Sequence, residues 1–341
     1  MIIVFRLLAI TALVSAMAVV QDQGGRALFG GRSLLHAHNA YPEKGRWHDR
    51  VDRALGTGMR PVVIEQDVAL AHRGREPISV VTHDTELTGA EPSLEEYFFK
   101  RVAPMMEAAL TGHDRRQWPL VVLHLDFKSN EPEHHRAVWQ LLERHQRWLT
   151  TAPKHAAGAP PSPFTVGPMV VLTENGDGQA ASFFDTVPAG GRLLVFGSVP
   201  APEATRLEDP DVRARALARS SPAELVATRP DSYRRWANFS WDVVEEGGQA
   251  RAGDWTAADA ARLRALVDRA HGLGLWIRFY TINGHAPASH PEWTASYNFG
   301  SRAAARLRWQ AAIDAGVDLI ATDQYEELAA LLRPGSRSPA Q

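Results

Sequence analysis

Short apolar segments alternate with longer stretches of helical period along almost the whole chain. The apolar segments have the length of β-strands and centre near residues 35, 64, 123, 171, 194, 239, 278 and 319. The intervening stretches are rich in Ala and Arg and have the spacing of amphipathic helices, as in residues 256–271 and 302–315. This alternation implies parallel strands that are joined by crossover helices.

Eight strand and helix units are the number that closes a parallel sheet into a barrel. We therefore predict the α/β class and, within it, a TIM (β/α)8 barrel. The alternative is an open doubly wound sheet, which often carries a glycine-rich phosphate loop after its first strand. Here the first strand is followed by His38-Asn39-Ala40-Tyr41, which contains no glycine and favours the barrel.

The first 20 residues have the layout of a secretory signal peptide. Residues 1–6 carry one positive charge, residues 7–20 are almost entirely apolar, and a polar run follows. The alternative is an uncleaved anchor helix, but the apolar stretch is short for a membrane span. We expect a signal peptide over 1–20, one barrel domain over 30–334, a disordered tail over 335–341, and a secreted or periplasmic mature protein.

The composition excludes several kinds of chemistry and partner. The 341 residues include no cysteine, which excludes disulfides, thiolate metal sites and cysteine nucleophiles. The formal net charge of -2 gives no general attraction to nucleic acid or to acidic membranes. No segment after the first 20 residues is apolar for long enough to span a bilayer. We expect a monomer with no nucleic-acid partner and no stable membrane span.

Acidic residues stand at the ends of the second and third predicted strands, where a TIM barrel places its active site. Glu65 and Asp67 are alternate residues of an extended chain, so they project from the same face. Two carboxylates in one barrel mouth repel each other unless a cation lies between them. Asp126 would complete a three-carboxylate site, and oxygen ligands favour one hard divalent cation, Mg²⁺ or Ca²⁺. The alternative is an ion pair with an arginine on a solvated face.

Two histidines and a lysine accompany these carboxylates. His38 ends the first strand, and His83 ends an extended arm shortly after the acidic pair. Hydrolysis of a phosphodiester needs a base and an acid, and two histidines near a Lewis-acid metal can divide those tasks. Lys128 shares a strand face with Asp126 and is a candidate phosphate-binding cation, with a plain strand-end ion pair as the alternative.

Five motifs follow one another in an order that resembles the PLC-like phosphodiesterase superfamily: His38-Asn39, Glu65-x-Asp67, His83-Asp84, Asp126-x-Lys128 and a closing segment over 316–323. This superfamily contains the glycerophosphodiester phosphodiesterases, the phosphatidylinositol-specific phospholipase C-like enzymes and the sphingomyelinase D-like enzymes. The chain looks most similar to the branch of the "altered inheritance of mitochondria" protein 6. That similarity is carried by the segments 38–41 and 278–281, and the whole resemblance spans about residues 34–332.

The resemblance implies a metal-dependent phosphoric diester hydrolase that acts on a glycerophosphodiester or a phospholipid-type substrate. Its expected partner is therefore a small-molecule or lipid phosphodiester. The resemblance implies roles for seven residues: His38 and His83 as the catalytic pair, Glu65, Asp67 and Asp126 as ligands of the divalent ion, and Asn39 and Lys128 as phosphate contacts.

Two other functions stay open at this point. Ala40 stands where the family usually has aspartate, which is the one sequence feature that favours a secreted binding protein without turnover. His36-x-His38 at the end of the first strand would also suit an amidohydrolase-like metal hydrolase. That site needs further histidines on the fifth and sixth strands, and residues 192–198 and 237–242 contain none.

Overall fold

The computed structural model of the chain describes residues 26–43, 46–112, 114–156, 158–286 and 297–333. The predicted signal peptide and the predicted tail lie outside these residues, so both stay predictions, as does the secreted or periplasmic location. No helix within the described residues is long and apolar enough to cross a membrane.

Eleven β-strands form in the described ranges: β1 (Leu34–Ala37), β2 (Val62–Arg73), β3 (Glu76–Val81), β4 (Val121–Phe127), β5 (Ala152–Pro153), β6 (Met169–Thr173), β7 (Arg192–Leu193), β8 (Phe196–Ser198), β9 (Arg234–Ser240), β10 (Trp276–Tyr280) and β11 (Leu319–Thr322). The same ranges hold eight α-helices: α1 (Arg50–Gly56), α2 (Lys100–Thr111), α3 (Pro132–Arg144), α4 (Pro210–Arg219), α5 (Pro222–Leu225), α6 (Ala257–Leu273), α7 (Arg302–Ala315) and α8 (Tyr325–Leu332). Two π-helical segments are Glu95–Phe99, which leads into α2, and Ala181–Asp185.

Eight of the strands form a closed parallel barrel. Their order around the barrel is β1-β11-β10-β9-β8-β6-β4-β2, and β2 pairs again with β1 through His36↔Val63 and Ala37↔Ile64. Every pairing around the ring is parallel. The predicted TIM barrel is therefore confirmed.

The predicted fifth strand is displaced along the chain. Residues Arg192–Leu193 pair with Ala152–Pro153 in a separate two-stranded antiparallel sheet, and the barrel strand is Phe196–Ser198. A Cβ atom at Gly197 would overlap the ring of Tyr233, so glycine allows this close approach. The continuous apolar run 193–196 conceals the break between the two strands, because burial in either sheet demands the same residue types.

The barrel strands begin with apolar residues and end with polar ones. Residues 62–64, 121–123 and 169–172 are fully buried apolar side chains, as expected for parallel strands that are covered on both faces. The acidic residues of β2 and β4 follow directly after these runs. The strand sequences therefore place the polar groups at the carboxyl end of the barrel, where sites of this fold lie.

One antiparallel hairpin departs from the βα alternation. β2 continues past the barrel and pairs with β3, with Val68 opposite Val81. The Thr82 backbone N–H then donates to the Asp67 carbonyl oxygen over 3.0 Å. The hairpin thereby brings His83 to the acidic end of β2.

Two buried histidines hold α3 against its neighbours. His134 lies 3.0 Å from the Ser79 hydroxyl through Nε2 and 2.8 Å from the Ser129 hydroxyl through Nδ1. His135 Nδ1 lies 2.9 Å from the Ser182 hydroxyl. Burial lowers the pKa of each histidine to about 4. Both imidazoles are therefore neutral at pH 7.

We expect the stability of the protein to fall as the pH drops below 6.5 because of these two histidines. Their pKa is about 6.5 in an unfolded chain and about 4 in the fold, so the unfolded chain takes up protons first. Each histidine should then remove about 1.4 kcal/mol per pH unit between pH 6.5 and 4. Urea denaturation followed by circular dichroism at several pH values measures this slope.

The variant His134→Gln/His135→Gln is the control, because other groups also titrate in this range. Its free energy of unfolding should depend less steeply on pH than that of the wild type. Equal slopes for the two proteins would show that the histidines do not cause the pH dependence.

Candidate active site

The carboxyl ends of β1, β2, β4 and β10 surround a cavity of about 390 Å³ at the mouth of the barrel. All seven residues that the sequence analysis singled out line this cavity: His38, Asn39, Glu65, Asp67, His83, Asp126 and Lys128. The fold thus brings together residues that are up to 90 positions apart in the sequence. Their chemical roles stay predictions.

Three carboxylates meet at one point of the cavity. Glu65, Asp67 and Asp126 each offer an oxygen, and these oxygens lie within 4.8 Å of one another. The β2 and β4 register sets Asp67 opposite Asp126. Burial and the charge of Asp126 raise the pKa of Asp67 well above its usual range, and burial and Glu174 raise that of Asp126. Such crowding of negative charge favours protonation or a bound cation.

Asp67 also has an oxygen without a partner. Its Oδ1 is buried, and no hydrogen bond reaches it from the part of the chain that the structure describes. A buried carboxylate oxygen is seldom left unsatisfied. Together with the all-oxygen character of the three ligands, this orphaned atom fits a hard divalent cation such as Mg²⁺ or Ca²⁺.

Lys128 bridges two of the carboxylates. Its Nζ lies 2.9 Å from Asp67 Oδ2 and 2.8 Å from Asp126 Oδ2. Burial opposes the charge of Lys128, but Asp67 and Asp126 outweigh it and raise the pKa of the ammonium. The strand-end ion pair that the sequence left as an alternative is therefore present, and the phosphate contact stays a prediction.

Glu65 is surrounded by four basic side chains. Its Oε2 lies 3.1 Å from His36 Nε2 and 3.1 Å from His124 Nδ1, and the Arg278 guanidinium also donates to it. Its Oε1 lies 3.4 Å from His38 Nε2. Burial opposes ionisation, but His38 and Arg278 outweigh it and hold the pKa of Glu65 well below its usual range. Hydrogen bonds from His124 and Arg278 thus occupy Oε2, while Oε1 lies towards His38.

His36 is held away from any metal role by Arg278. Arg278 Nε donates to His36 Nδ1 over 3.0 Å, and His36 Nε2 lies 3.1 Å from Glu65 Oε2. Burial and Arg278 lower the pKa of His36 well below its usual range. The amidohydrolase-like alternative needs His36 and His38 on one ion, and this arrangement does not provide it. The Arg278 guanidinium donates to His36 and Glu65, so it takes the place that an ion would have among His36, Glu65 and His124.

His38 forms a dyad with Asp323. Its Nδ1 lies 3.3 Å from Asp323 Oδ2, and its Nε2 lies 2.9 Å from the Thr281 hydroxyl. A carboxylate only accepts hydrogen bonds, so Nδ1 carries the proton and Nε2 of the neutral ring is an acceptor. Burial favours the neutral ring, but Glu65 and Asp323 outweigh it and raise the pKa of His38.

Asp323 ends the last of the five motifs, and the sequence analysis gave it no role in the phosphodiesterase site. It follows β11 directly, whereas Gln324 occupies the N-cap position of α8. Arg50 donates to Asp323 Oδ1 over 3.1 Å, and the Asn283 amide donates to Oδ2. Its position at the carboxyl end of the eighth strand is the sequence feature that could have identified it as a site residue.

Glu174 was likewise missed, because its sequence context resembles a turn. It follows β6 and lies 3.5 Å from His124 Nε2, and its Oε1 accepts from the Asn238 amide over 2.8 Å. Burial opposes ionisation, but His124 outweighs it and lowers the pKa of Glu174. His124 is thus a packed histidine between two carboxylates, as its buried place in the strand suggested.

The segment after β1 shapes the rim of the cavity. Asn39 has a φ of 52°, a left-handed conformation that asparagine tolerates, and its Oδ1 accepts from the Tyr41 hydroxyl over 2.7 Å. The ring of Tyr41 stacks on the exposed His83 ring at 6.5 Å. Burial and Lys128 lower the pKa of His83. Ala40 is fully buried and is not among the residues that line the cavity.

The fold and the site together define a (β/α)8-barrel protein with an acidic cavity that contains histidines at its carboxyl face. No protein-family model matches the chain, and no match was found among curated proteins. None of the comparisons tests the resemblance to the mitochondrial-inheritance branch, which stays a prediction.

Similar solved structures include a glycerophosphodiester phosphodiesterase from Parabacteroides distasonis ATCC 8503, 15% identical, covering 88% of this chain and 96% of that chain with a TM-score of 0.45. A glycerophosphoryl diester phosphodiesterase from the same organism is 15% identical, with 87% and 85% coverage and a TM-score of 0.40. The Plasmodium falciparum HPPK-DHPS A437G protein with pteroate is 9% identical, with 89% and 48% coverage and a TM-score of 0.45. Similarity at this level is too low to transfer an activity.

Proposed function

We propose that the chain is a metal-dependent phosphoric diester hydrolase. The observation that carries the proposal is the meeting of Glu65, Asp67 and Asp126, together with the unpartnered oxygen Asp67 Oδ1. A histidine supported by an aspartate stands beside them, with His38 Nε2 at 3.4 Å from Glu65 Oε1. Hydrolysis of a phosphodiester by a metal enzyme requires ligands for the cation and a side chain that transfers protons, and both kinds of residue lie at this place in the cavity.

The three carboxylates would hold one divalent cation, Mg²⁺ or Ca²⁺. When bound, the cation supplies Lewis-acid polarisation of a phosphoryl oxygen and lowers the pKa of an attacking hydroxyl or water. His38 and Arg278 hold the pKa of Glu65 low, so the carboxylate stays ionised and suited to a cation. Lys128 holds Oδ2 of both aspartates, which fixes the side chains that carry the other two ligand oxygens.

Proton transfer would be divided between His38 and His83. Asp323 fixes the tautomer of His38, presents its Nε2 and stabilises the imidazolium that forms when Nε2 takes a proton. His83 is presented by the β2–β3 hairpin and lines the same cavity. The proposed substrate class is a glycerophosphodiester or a phospholipid-type diester, with Asn39 at the rim as a contact for the phosphate.

Removal of the cation tests this function. We expect the protein to hydrolyse bis(p-nitrophenyl) phosphate, to lose the activity in EDTA, and to regain it with Mg²⁺ or Ca²⁺. Asp67→Asn removes charge from the centre of the ligand set and should weaken cation binding by about tenfold, that is about 1.4 kcal/mol. Isothermal titration calorimetry with the cation alone measures that change without reference to activity.

Asp114→Asn is the matched control, because Asp114 is exposed and pairs with exposed Arg116, two residues further along the chain. It should bind the cation and hydrolyse the diester as the wild type does. Hydrolysis that EDTA leaves unchanged would contradict the metal-dependent part of the proposal. If no diester is hydrolysed while the cation binds, the binding protein without turnover becomes the better description.

A further inference from the structure

Thr281 places a hydroxyl group at the cavity in the mouth of the barrel. It follows β10 directly and lines that cavity. Among the described residues that line the cavity, Thr281 alone has an aliphatic hydroxyl. Gln249 Nε2 donates to the Thr281 carbonyl oxygen over 2.7 Å, and the Ile282 N–H donates to the Ala321 carbonyl oxygen over 2.7 Å. These two hydrogen bonds hold the backbone that carries the hydroxyl.

The hydroxyl of Thr281 is hydrogen-bonded to His38. Its Oγ1 lies 2.9 Å from His38 Nε2. His38 Nδ1 donates to Asp323 over 3.3 Å, so the lone pair of the neutral ring is on Nε2 and accepts the proton of the hydroxyl. A hydroxyl, an imidazole and a carboxylate in this order form a catalytic triad, the arrangement that activates serine or threonine as a nucleophile.

Three neighbouring strands of the barrel supply the triad. His38 follows β1, Asp323 follows β11 and Thr281 follows β10, and these strands lie in the order β1-β11-β10. Arg50 and the amide of Asn283, two residues after Thr281, donate to Asp323. Because the carboxyl ends of parallel strands meet at one face of the barrel, the strands themselves bring the three groups together.

The triad adjoins the three carboxylates of the proposed cation site. His38 Nε2 lies 3.4 Å from Glu65 Oε1, so the Thr281 hydroxyl and a proposed cation ligand approach the same nitrogen. Nε2 has a single lone pair, and the Thr281 hydroxyl occupies it. An attacking water would have to displace this hydroxyl before His38 could take a proton from the water. The hydroxyl of Thr281 has its base in place already.

We propose that Thr281 is the nucleophile of the reaction and that hydrolysis passes through a covalent phosphothreonine diester. This inference rests on the proposed function, because the substrate must be a phosphodiester that is bound at the carboxylates. In the first step Thr281 Oγ1 forms a bond to phosphorus and its proton moves to His38 Nε2. The bond from phosphorus to the leaving oxygen breaks, and the alcohol leaves with a proton from the imidazolium of His83.

A water molecule completes the reaction in the second step. The water oxygen forms the new bond to phosphorus, and its proton goes to His83. The bond from phosphorus to Thr281 Oγ1 breaks, and this oxygen takes its proton back from His38 Nε2. The attacking and leaving oxygens of a phosphoryl transfer lie roughly in line, on opposite sides of phosphorus, so two separate proton carriers are needed. The products are one alcohol and one phosphate monoester, and both histidines return to their starting states.

The test uses diisopropyl fluorophosphate, which phosphorylates activated hydroxyl groups. Thr281 Oγ1 should displace the fluoride while His38 takes the proton, which leaves one diisopropylphosphoryl group on the protein. Mass spectrometry of the cation-loaded protein and of its peptides should find this group on Thr281. His38→Ala should lower the rate of labelling by about 10²-fold or more, the contribution of a positioned base.

Three variants check the position of the label. Thr281→Val removes the hydroxyl, so it should take up no label and lose most of its activity on bis(p-nitrophenyl) phosphate. Thr281→Ser keeps a hydroxyl and should be labelled at position 281, which tests the inference even if Thr281→Val does not fold. Thr173→Val is the matched control, because Thr173 also ends a barrel strand, is fully buried and donates to Gln179. It should be labelled on Thr281 as the wild type is.

The outcomes separate this inference from the proposed function. If bis(p-nitrophenyl) phosphate is hydrolysed but no label reaches Thr281, the nucleophile is wrong and the proposed hydrolase stands, with water as the attacking group. A label on other residues alone, or wild-type labelling of Thr281→Val, would also overturn the nucleophile. If Thr281 is labelled while no diester is hydrolysed, the activated hydroxyl is supported and the proposed function fails.

Discussion

Replacement of His38 by alanine is expected to lower kcat for phosphodiester hydrolysis by about 10²- to 10⁴-fold, the contribution of a positioned acid or base. The reason is the geometry of the dyad, in which Asp323 holds Nδ1 and Nε2 is presented beside Glu65. Steady-state kinetics with bis(p-nitrophenyl) phosphate at saturating cation measures the change.

Two further variants separate chemistry from folding in this experiment. His72→Ala removes an exposed histidine that pairs with Glu133 on the surface, and it should leave kcat as in the wild type. Asp323→Asn should lower kcat while the dissociation constant of the cation stays unchanged, because Asp323 acts through His38 and not through the carboxylates. If a folded His38→Ala protein kept the kcat of the wild type, His38 would have no part in the reaction.

Replacement of Arg278 by methionine is expected to destabilise the fold by about 3–5 kcal/mol, the cost of leaving a buried charge without its partner. The Arg278 side chain is 3% exposed and reaches His36, Asn238 and Glu65. Its removal leaves the Glu65 carboxylate buried without its arginine partner. Urea denaturation at pH 7.5 measures the free energy of unfolding.

Arg302→Met is the matched control, because Arg302 is 77% exposed and its pairing with Glu327 is superficial. Its effect should stay within about 0.5 kcal/mol. A double variant with Glu65→Gln should be less destabilised than the sum of the single variants, since the buried charge has then been removed as well. Additive effects would show that Arg278 stabilises the barrel by packing alone.

The sequence predicted the barrel because its signal is local. Each strand is an apolar run of a few residues that ends in polar ones, and the register of β2 with β4 follows from those runs. The meeting of Glu65, Asp67 and Asp126 could be predicted for the same reason. The fifth strand was misplaced by a few residues, because the run 193–196 satisfies two different sheets equally well.

The hydrogen-bond partners of the site residues could not be predicted from the residues near them in the sequence. Arg278 is 242 residues from His36, and Asp323 is 285 residues from His38, so no spacing rule connects either pair. The contacts of Lys128 could be predicted only in part. Its shared face with Asp126 was visible in the sequence, but its equal contact with Asp67 depends on how two strands lie side by side.

The closure of the barrel has a consequence for the timing of activity during synthesis. β1 pairs with β11, so the two ends of the described barrel meet, and His38 belongs to one end while Asp323 belongs to the other. A ribosome delivers Glu65, Asp67 and Asp126 well before Asp323. The three carboxylates are therefore synthesised before the aspartate that orients His38, and the proposed hydrolysis would begin only when β11 has been inserted into the barrel.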